Sequence, residues 1–243
     1  AEIAVSGFHN ILFIGPPGTG KTMLAKRIPT IMPSLTFEES LELTKIYSIA
    51  GLLSSKRPLI KARPFRSPHH TSSSAALAGG GRIPGPGEVT LAHRGVLFLD
   101  EMPEFARGSL EVLRQPLEDK QIQLSRASGT YVFPAGFILV AAMNPCPCGY
   151  YPDMNKCRCT PGEVSHYLHK LSQPLLERID LCADVPPVNF SQISGEKSGE
   201  SSALIRKRVE KARRIQQKRY QNEKICFNGE LSGKQIRKYC VLT

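Results

Sequence analysis

The chain has 243 residues, of which 41% are hydrophobic and 22% charged, a composition typical of a soluble globular protein. This length accommodates one α/β domain with its own core and part of a smaller second unit. No run of about 18 apolar residues is present, so no membrane span is expected, and Glu2 to Ser6 lacks the residue order of a signal peptide. The start at Ala1 rather than Met predicts an excised segment of a longer protein.

The net charge and the cysteines are unevenly distributed. The formal net charge is +11, and the segment from residue 197 to residue 243 has 13 Lys and Arg against 4 Asp and Glu, which gives it +9. Seven cysteines, an odd number, include four between Cys146 and Cys159. That grouping favours a metal or free thiols in a reducing compartment over a disulfide framework, so we expect a cytoplasmic protein.

The first elements are a strand, a loop and two helices. Ile11 to Ile14 is a short apolar run that predicts a buried strand, and Lys21 to Ile28 reads as a helix after a Gly/Pro loop. Thr36 with Glu39 three residues later predicts a capping box, and Gly51 is a plausible end for the helix that follows it.

The middle of the chain predicts two further buried strands. Residues 56–95 are rich in helix breakers, so we expect a helix interrupted by an inserted loop. Val96 to Leu99 predicts a strand, Phe105 to Leu117 a helix, and Ile138 to Ala142 another strand. Between them, the alternating residues from Ile122 to Phe133 predict a hairpin.

The last third predicts one more strand and a basic helix. Leu181 to Val185 is the strand, residues 189–199 read as a linker, and a basic helical segment begins near Ser201. Strands that alternate with helices predict an α/β fold with a parallel sheet covered on both faces. We expect one unit over residues 1–190 and the start of another over 191–243.

A glycine-rich loop joins the first predicted strand to the first predicted helix. The residues Gly15-Pro16-Pro17-Gly18-Thr19-Gly20-Lys21-Thr22 match the phosphate-binding loop pattern in the context that its mechanism requires. The glycines let backbone N–H groups face phosphate oxygens at the positive end of the helix. Lys21 then reaches the β and γ phosphates and the Thr22 hydroxyl ligates Mg²⁺, which predicts ATP with Mg²⁺ as the ligand.

Three polar residues follow the other buried strands. Asp100 and Glu101 come directly after Val96 to Leu99, so both carboxylates are predicted at the carboxyl edge of the sheet. There Asp100 is expected to complete the Mg²⁺ site, and Glu101 is expected to orient or deprotonate the attacking water. Asn144 follows the next strand. It is either a simple turn residue before Pro145 or an amide that bridges the γ-phosphate and the water.

Five segments carry a family resemblance. They are Gly15 to Thr22, Arg63 to His70, Gly95 to Glu101, Asn144 to Gly149 and Leu175 to Asp180. With them the chain resembles the magnesium-chelatase-like AAA+ family, most closely its ComM/YifB branch, along nearly its whole length. The resemblance implies a P-loop ATPase core with a helix-2 insert and a hairpin before the third motif, followed by the start of a truncated helical lid.

The resemblance also implies a ring. It assigns to Arg178 the role of a finger that reaches the γ-phosphate of a neighbouring subunit, whereas the sequence alone favours a surface salt-bridging arginine. It places the hairpin at the ring pore, with Arg126 as a candidate contact. The family's second sensor arginine lies in the lid beyond Thr243, so the resemblance implies an incomplete site in this segment.

The four clustered cysteines have an open interpretation. Cys146 and Cys148 form one Cys-x-Cys pair and Cys157 and Cys159 form another, with eight residues between the pairs, so four thiolates are available to a tetrahedral Zn²⁺. The spacing is tighter than the common two-residue gap, and reduced thiols on a simple loop remain the alternative. Elsewhere, the adjacent histidines His69 and His70 either belong to a polar loop or make a functional contact.

Two substrate classes fit the resemblance. The ComM branch implies a hexameric DNA motor for branch migration in recombination or natural transformation, and chelatase subunits imply remodelling of a protein partner for Mg²⁺ insertion into a porphyrin. The basic segment from Ser201 to Lys224 favours DNA, although a solvated lid helix is an alternative. A nucleotide-sensing switch is a third class, disfavoured by the presence of Glu101. GTP is disfavoured because Asn155-Lys156-Cys157-Arg158 ends in Arg where a guanine-reading motif has Asp.

Overall fold

The computed structural model describes residues 1–54, 56, 58–81, 84–126, 129–187, 199–223 and 225–241. The strands in these residues are β1 (Ile11–Ile14), β2 (Phe65–Arg66), β3 (Gly79–Gly80), β4 (Gly85–Pro86), β5 (Val96–Leu99), β6 (Gln121–Arg126), β7 (Gly129–Pro134), β8 (Ile138–Met143) and β9 (Leu181–Asp184). The helices are α1 (Glu2–Gly7), α2 (Lys21–Ile31), α3 (Phe37–Ile49), α4 (Ser74–Ala78), α5 (Glu88–Leu91), α6 (Arg107–Glu111), α7 (Arg114–Asp119), α8 (Pro161–Leu168), α9 (Gln173–Leu176), α10 (Ser202–Arg219) and α11 (Gly233–Tyr239).

Five strands form a parallel sheet in the order β2, β5, β8, β1, β9. The register aligns Ile11 of β1 with Val140 of β8, and Val96 of β5 with Ile138 of β8. All residues of β5 and β8 are buried, because helices cover both faces of the sheet, and this explains their unbroken apolar sequences. The predicted α/β fold with a parallel sheet between helices is confirmed.

Successive residues of each strand point to opposite faces and therefore enter two different cores. Leu97 and Leu99 pack in a core with residues of α5 to α9 and of the β6–β7 hairpin. Val96 and Phe98 pack in a second core with residues of α1, α2 and α10. The long helix α10 is thus part of the layer that covers one face of the sheet.

Two antiparallel ribbons lie outside the central sheet. The β3–β4 ribbon interrupts the helical segment between α4 and α5, as predicted for the insert, and β6 pairs with β7 as the predicted hairpin. A Cβ atom on Gly80 would lie 3.2 Å from Nη2 of Arg126, so the two ribbons are neighbours. The predicted turn residues Ala127 and Ser128 lie outside the described residues.

The predicted continuous helix from Phe105 to Leu117 is wrong. The structure has a 3₁₀ turn at Met102–Glu104, then the short helices α6 and α7 with a break between them. Pro116 explains the break, because its ring nitrogen has no hydrogen to donate to a carbonyl one turn earlier. The edge strand β2 was also missed, since two residues carry no periodic signal.

The packed face of α10 differs from the apolar stripe that the spacing of Ile205, Val209, Ala212 and Ile215 predicts. Val209 is fully buried, and Ile205 packs against the same core. Ile215 is 51% exposed, and the buried position belongs to Gln216 at 4%. The Gln216 amide donates to the Ser6 carbonyl at 2.8 Å and its oxygen accepts from the Asn228 N–H at 2.8 Å, so a polar side chain is fully paired there.

A buried ion network connects α10 to α3 and to the segment that precedes β2. Glu39 completes the capping box of α3 with Thr36, accepts from Arg63 at 3.1 Å and lies 3.4 Å from Arg213 of α10. Arg63 also donates to the Pro33 carbonyl at 2.6 Å. Burial lowers the pKa of Arg63 to about 10, and Glu39 opposes that shift.

The predicted unit boundary and most of the predicted linker, residues 189–198, lie outside the described residues. In the described ranges, no helix combines the length and the apolar character needed to cross a bilayer.

Candidate nucleotide-binding site

Three strands end at one edge of the sheet, and each is followed by residues that the sequence predicts to bind nucleotide. The strand β1 leads into the loop Gly15 to Thr22, β5 leads into Asp100 and Glu101, and β8 leads into Asn144. Ligands of open α/β sheets bind at the carboxyl edge of their strands. The structure therefore brings these predicted residues together.

The phosphate-binding loop turns sharply into α2. Gly20 is the N-cap of α2 and has a φ of 85°, a left-handed conformation that residues with a side chain rarely adopt. The Thr19 hydroxyl donates to the Pro16 carbonyl at 3.0 Å and closes the loop. The first N–H groups of a helix lack intrahelical acceptors, so the start of α2 offers them to an anion.

The Lys21 ammonium lies inside this loop. Its Nζ atom donates to the carbonyl oxygens of Gly15 at 2.7 Å and Pro16 at 2.8 Å, and to Oδ1 of Asn144 at 3.2 Å. Burial lowers the pKa of Lys21, and the carboxylates of Asp100 and Glu101 oppose that shift. The ammonium therefore links the loop after β1 to the end of β8.

A hydroxyl and a carboxylate meet beside the loop. The Thr22 hydroxyl donates to Oδ2 of Asp100 at 2.7 Å, and Oδ1 of Asp100 accepts from the Glu101 N–H at 3.1 Å. Hydroxyl and carboxylate oxygens are ligands that Mg²⁺ prefers in proteins. The Thr22 and Asp100 pair thus fits the Mg²⁺ of a bound nucleotide.

Glu101 has an unusual backbone conformation. Its φ of 51° places a residue other than glycine in the left-handed region, where it starts the 3₁₀ turn Met102–Glu104. Its side chain is 61% exposed, and Oε2 lies 3.6 Å from Nδ1 of His70. Such strain persists where surrounding packing enforces it, and it concentrates at functional sites.

The sequence alone did not associate His70 with Glu101. Only the path of the chain after β2 brings this histidine to the carboxyl end of β5, since the two residues are far apart in the sequence. The single signal in the sequence was the adjacent pair His69 and His70 in a breaker-rich segment.

Arg178 lies in a different place from these residues. It follows α9, and its Nη2 atom pairs with Oε2 of Glu118 at 2.8 Å. Its backbone carbonyl accepts from the Asn10 side chain at 2.8 Å. Its guanidinium is partly exposed, so Arg178 is accessible from outside this subunit.

Four sulfur atoms converge in the loop after Asn144. The Sγ atoms of Cys146 and Cys148 are 3.4 Å apart, those of Cys146 and Cys157 3.8 Å, and those of Cys148 and Cys157 3.6 Å. With Cys159 included, all four lie within 4.8 Å of one another. A tetrahedral ion with metal–sulfur bonds of about 2.3 Å separates its sulfurs by about 3.8 Å, whereas a disulfide bond is about 2.05 Å long. The cluster therefore has the dimensions of a Cys₄ metal site.

The cysteine loop contacts the phosphate-binding loop. Gly149 has a φ of 87°, and a Cβ atom on it would lie 2.6 Å from Cδ of Pro17, so only glycine allows this approach. Backbone N–H groups of Tyr150 and Arg158 point at Cys148 and lower its pKa to about 6. The two loops share a wall of the candidate site.

A parallel sheet of this strand order, with a phosphate-binding loop after β1 and an acidic pair after β5, defines the P-loop ATPases of the AAA+ type. Residues 1–193 match the family model described as "Magnesium chelatase, subunit ChlI", and residues 199–243 match "Magnesium chelatase, subunit ChlI C-terminal". The chain belongs to this family of oligomeric AAA+ ATPases, which implies ATP and Mg²⁺ as its ligands. The resemblance found in the sequence is thereby confirmed.

Curated relatives match along nearly the whole chain. The uncharacterized protein YifB of Escherichia coli is 50% identical over 99% of the chain, and that of Salmonella typhimurium is 49% identical over 99%. The competence protein ComM of Haemophilus influenzae is 47% identical over 99% of the chain. The matches cover 47% of either YifB protein and 46% of ComM, so the chain spans about half the length of these relatives.

Proposed function

We propose that this chain is the ATP-hydrolysing core of a ring-forming AAA+ motor that acts on DNA. The observation that carries the ATPase part is the convergence of Lys21, Thr22, Asp100, Glu101 and Asn144 at one edge of the sheet. The family supports an ATPase, and this geometry supplies the phosphate-binding, Mg²⁺-binding and base groups that one subunit contributes to phosphoryl transfer.

Each residue has a defined task in the proposed hydrolysis. Thr22 and Asp100 hold Mg²⁺, which neutralises phosphate charge when bound, and Lys21 binds the β and γ phosphates. Glu101 accepts a proton from a water whose oxygen attacks the γ-phosphorus, while the bond to the β–γ bridging oxygen breaks. The products are ADP and phosphate, and the Asn144 amide orients the water and the γ-phosphate.

Lys21→Ala in the intact protein should abolish nucleotide binding, because it removes the charge that faces the phosphates. Glu101→Gln should keep binding but reduce turnover by a factor on the order of 10² to 10⁴, the contribution of a general base. Nucleotide binding and phosphate release measure both, with Lys26→Ala, an exposed lysine of α2, as the control. Turnover at the wild-type rate in Glu101→Gln would contradict the assigned role.

The ring is supported by the position of Arg178. A P-loop site gains rate from an arginine supplied by a second subunit, and Arg178 is partly exposed and away from the phosphate-binding loop of its own chain. We infer that it reaches the site of a neighbouring subunit, in a hexamer as the family resemblance implies.

Arg178→Ala should leave ATP affinity nearly unchanged and slow hydrolysis by a factor on the order of 10³ or more. Mixing Arg178→Ala subunits with Glu101→Gln subunits should restore part of the turnover, because some interfaces then contain both residues. Glu118→Gln is the matched control, since it breaks only the ion pair within the subunit. No recovery at any mixing ratio, or an equal loss in Glu118→Gln, would show that Arg178 has a local structural role.

DNA binding is supported by the exposed face of α10. Lys207, Lys211, Arg214 and Lys218 are exposed, and their spacings of four, three and four residues place them on one side of the helix. Val209 and Gln216 lie on the opposite side, which is packed on the core. None of the four has an ion-pair or hydrogen-bond partner among the described residues. We call these four residues the basic stripe.

Other basic residues of α10 have structural partners and are weaker candidates. Arg213 pairs with Glu39, Arg208 pairs with Glu2, and Arg206 donates to the Thr30 carbonyl at 3.0 Å. The sequence did not separate these residues from the basic stripe.

A ComM relative, named a competence protein, supports the DNA proposal over the chelatase alternative, in which the partner is a protein.

Replacing the four residues of the basic stripe with Gln should weaken DNA binding and reduce its salt dependence. Each lost phosphate contact removes about 0.9 from the slope of log K against log salt concentration. The control variant replaces the exposed residues Lys45, Lys61, Arg107 and Lys234 with Gln, which removes the same charge elsewhere. An equal loss of DNA affinity in both variants would show that the basic stripe contributes only through net charge. Unchanged DNA affinity in both variants would favour a protein partner.

We further propose that the Cys₄ cluster holds one structural Zn²⁺. Sulfur separations of 3.4–3.8 Å among Cys146, Cys148 and Cys157, with all four sulfurs within 4.8 Å, support a tetrahedral thiolate site, which leaves no open position for catalysis. The ion would hold the loop that follows Asn144 against Pro17 of the phosphate-binding loop. Thiolates remain reduced in the cytoplasm, so a cytoplasmic location is part of this proposal.

Metal analysis of the purified protein should give about one Zn²⁺ per chain, and Cys146→Ser with Cys157→Ser should remove it, because two of four ligands are lost. Replacing the exposed Cys226 and Cys240 with Ser is the control and should leave the metal content unchanged. A metal-free protein whose four loop thiols titrate freely would show that the loop is held by packing alone.

A further inference from the structure

The carboxylate of Glu101 has one ion-pair partner among the described residues. Its Oε2 atom lies 3.6 Å from Nδ1 of His70, just longer than a hydrogen bond and within ion-pair range. The Glu101 side chain is 61% exposed, so few neighbours restrict its rotation. His70 is therefore the ion-pair partner that the described residues offer to this carboxylate.

His70 is itself held in place by aromatic neighbours. Its ring meets the buried ring of Phe105 edge-on, with centroids 6.4 Å apart and an interplanar angle of 79°. The ring of His69 covers it at 4.1 Å. Nδ1 of His69 is occupied by the Thr71 hydroxyl at 2.9 Å, so the two histidines have different polar partners.

The segment that carries His70 is anchored at its far end. The Ser72 carbonyl accepts from the Ser109 hydroxyl at 3.0 Å, and Ser73 caps the start of α4 through the Ala76 N–H. The near end of the segment leaves β2, which pairs with β5 in the sheet. His70 thus has a fixed position relative to the strand that ends in Asp100 and Glu101.

We propose that His70 is a positioning residue that orients the Glu101 carboxylate toward the attacking water. An imidazole N–H donated to one carboxylate oxygen leaves the other oxygen free to accept the proton of the water. Catalytic hydrogen bonds are often long without substrate and tighten in the complex, which fits a separation of 3.6 Å. This inference rests on the proposed role of Glu101 as the base.

The backbone of Glu101 is tied to the site independently of its side chain. While it faces His70, Glu101 still donates its N–H to Asp100 at 3.1 Å, and Asp100 accepts from Thr22 of the phosphate-binding loop. The polar contacts therefore run from His70, in the segment after β2, through Glu101 and Asp100 to Thr22 of the phosphate-binding loop. Loss of the imidazole frees the carboxylate to rotate, and a misplacement of about 1 Å costs up to about 10²-fold in rate.

The test measures ATP turnover of the intact protein with His70→Ala, His70→Leu and His70→Asn. Ala and Leu should lower kcat by about 10-fold to 100-fold and leave KM for ATP within about twofold, because only the orientation of the base is lost. Leu preserves the packing against Phe105, and Asn restores a donor, so Asn should recover much of kcat. His166→Ala, at an exposed histidine of α8, is the matched control and should turn over close to the wild-type rate.

A double variant separates this inference from the proposed function. In a Glu101→Gln background, His70→Ala should cause no further loss, since the two residues act as a unit. The positioning role would be overturned by a wild-type kcat in His70→Leu, by a rise in turnover or by a change confined to KM. In each of these cases Glu101→Gln would still have reduced turnover, so the proposed function would stand. A Glu101→Gln protein with wild-type turnover would instead overturn the proposed function itself.

Discussion

The parallel alignment of five strands is the constraint on which the site depends. Because all strands run the same way, the loops that follow β1, β5 and β8 leave the sheet at one edge. The register that pairs Val96 with Ile138 and Ile11 with Val140 is enforced by burial on both faces. A shift by one residue would exchange the two cores, so the relative positions of Lys21 and Asp100 follow from apolar packing well away from them.

The parts around that edge support one another through short polar contacts. Lys21 connects the phosphate-binding loop to Asn144, and Thr22 connects α2 to Asp100. The cysteine loop begins directly after Asn144 and returns to contact Pro17 through Gly149. An ion in the Cys₄ cluster would therefore stiffen a wall of the nucleotide site.

Family membership and substrate are decided by different parts of the chain. The central sheet and its loops define an AAA+ ATPase, and these features are shared by proteins with different substrates. The features that we propose to bear on the substrate lie at the periphery, in the β3–β4 and β6–β7 ribbons and on the outer face of α10. The basic stripe is informative because the opposite side of the same helix is occupied by Val209 and Gln216, which leaves the four charges facing solvent.

The sequence by itself determined the elements with strong local signals. The apolar runs at β1, β5 and β8, the glycine loop at Gly15 to Thr22 and the capping box at Thr36 are read from neighbouring residues, because burial and turn chemistry act locally there. The five residues predicted at the site converge since parallel strands bring their carboxyl ends together. Only the tertiary structure decided the features that depend on residues distant in the chain. It buried Gln216 rather than Ile215, since a polar side chain can be buried where distant backbone groups pair with it. It also paired Arg178 with Glu118 and placed His70 beside Glu101, contacts that no local pattern encodes, because they arise from how the connections pack over the sheet.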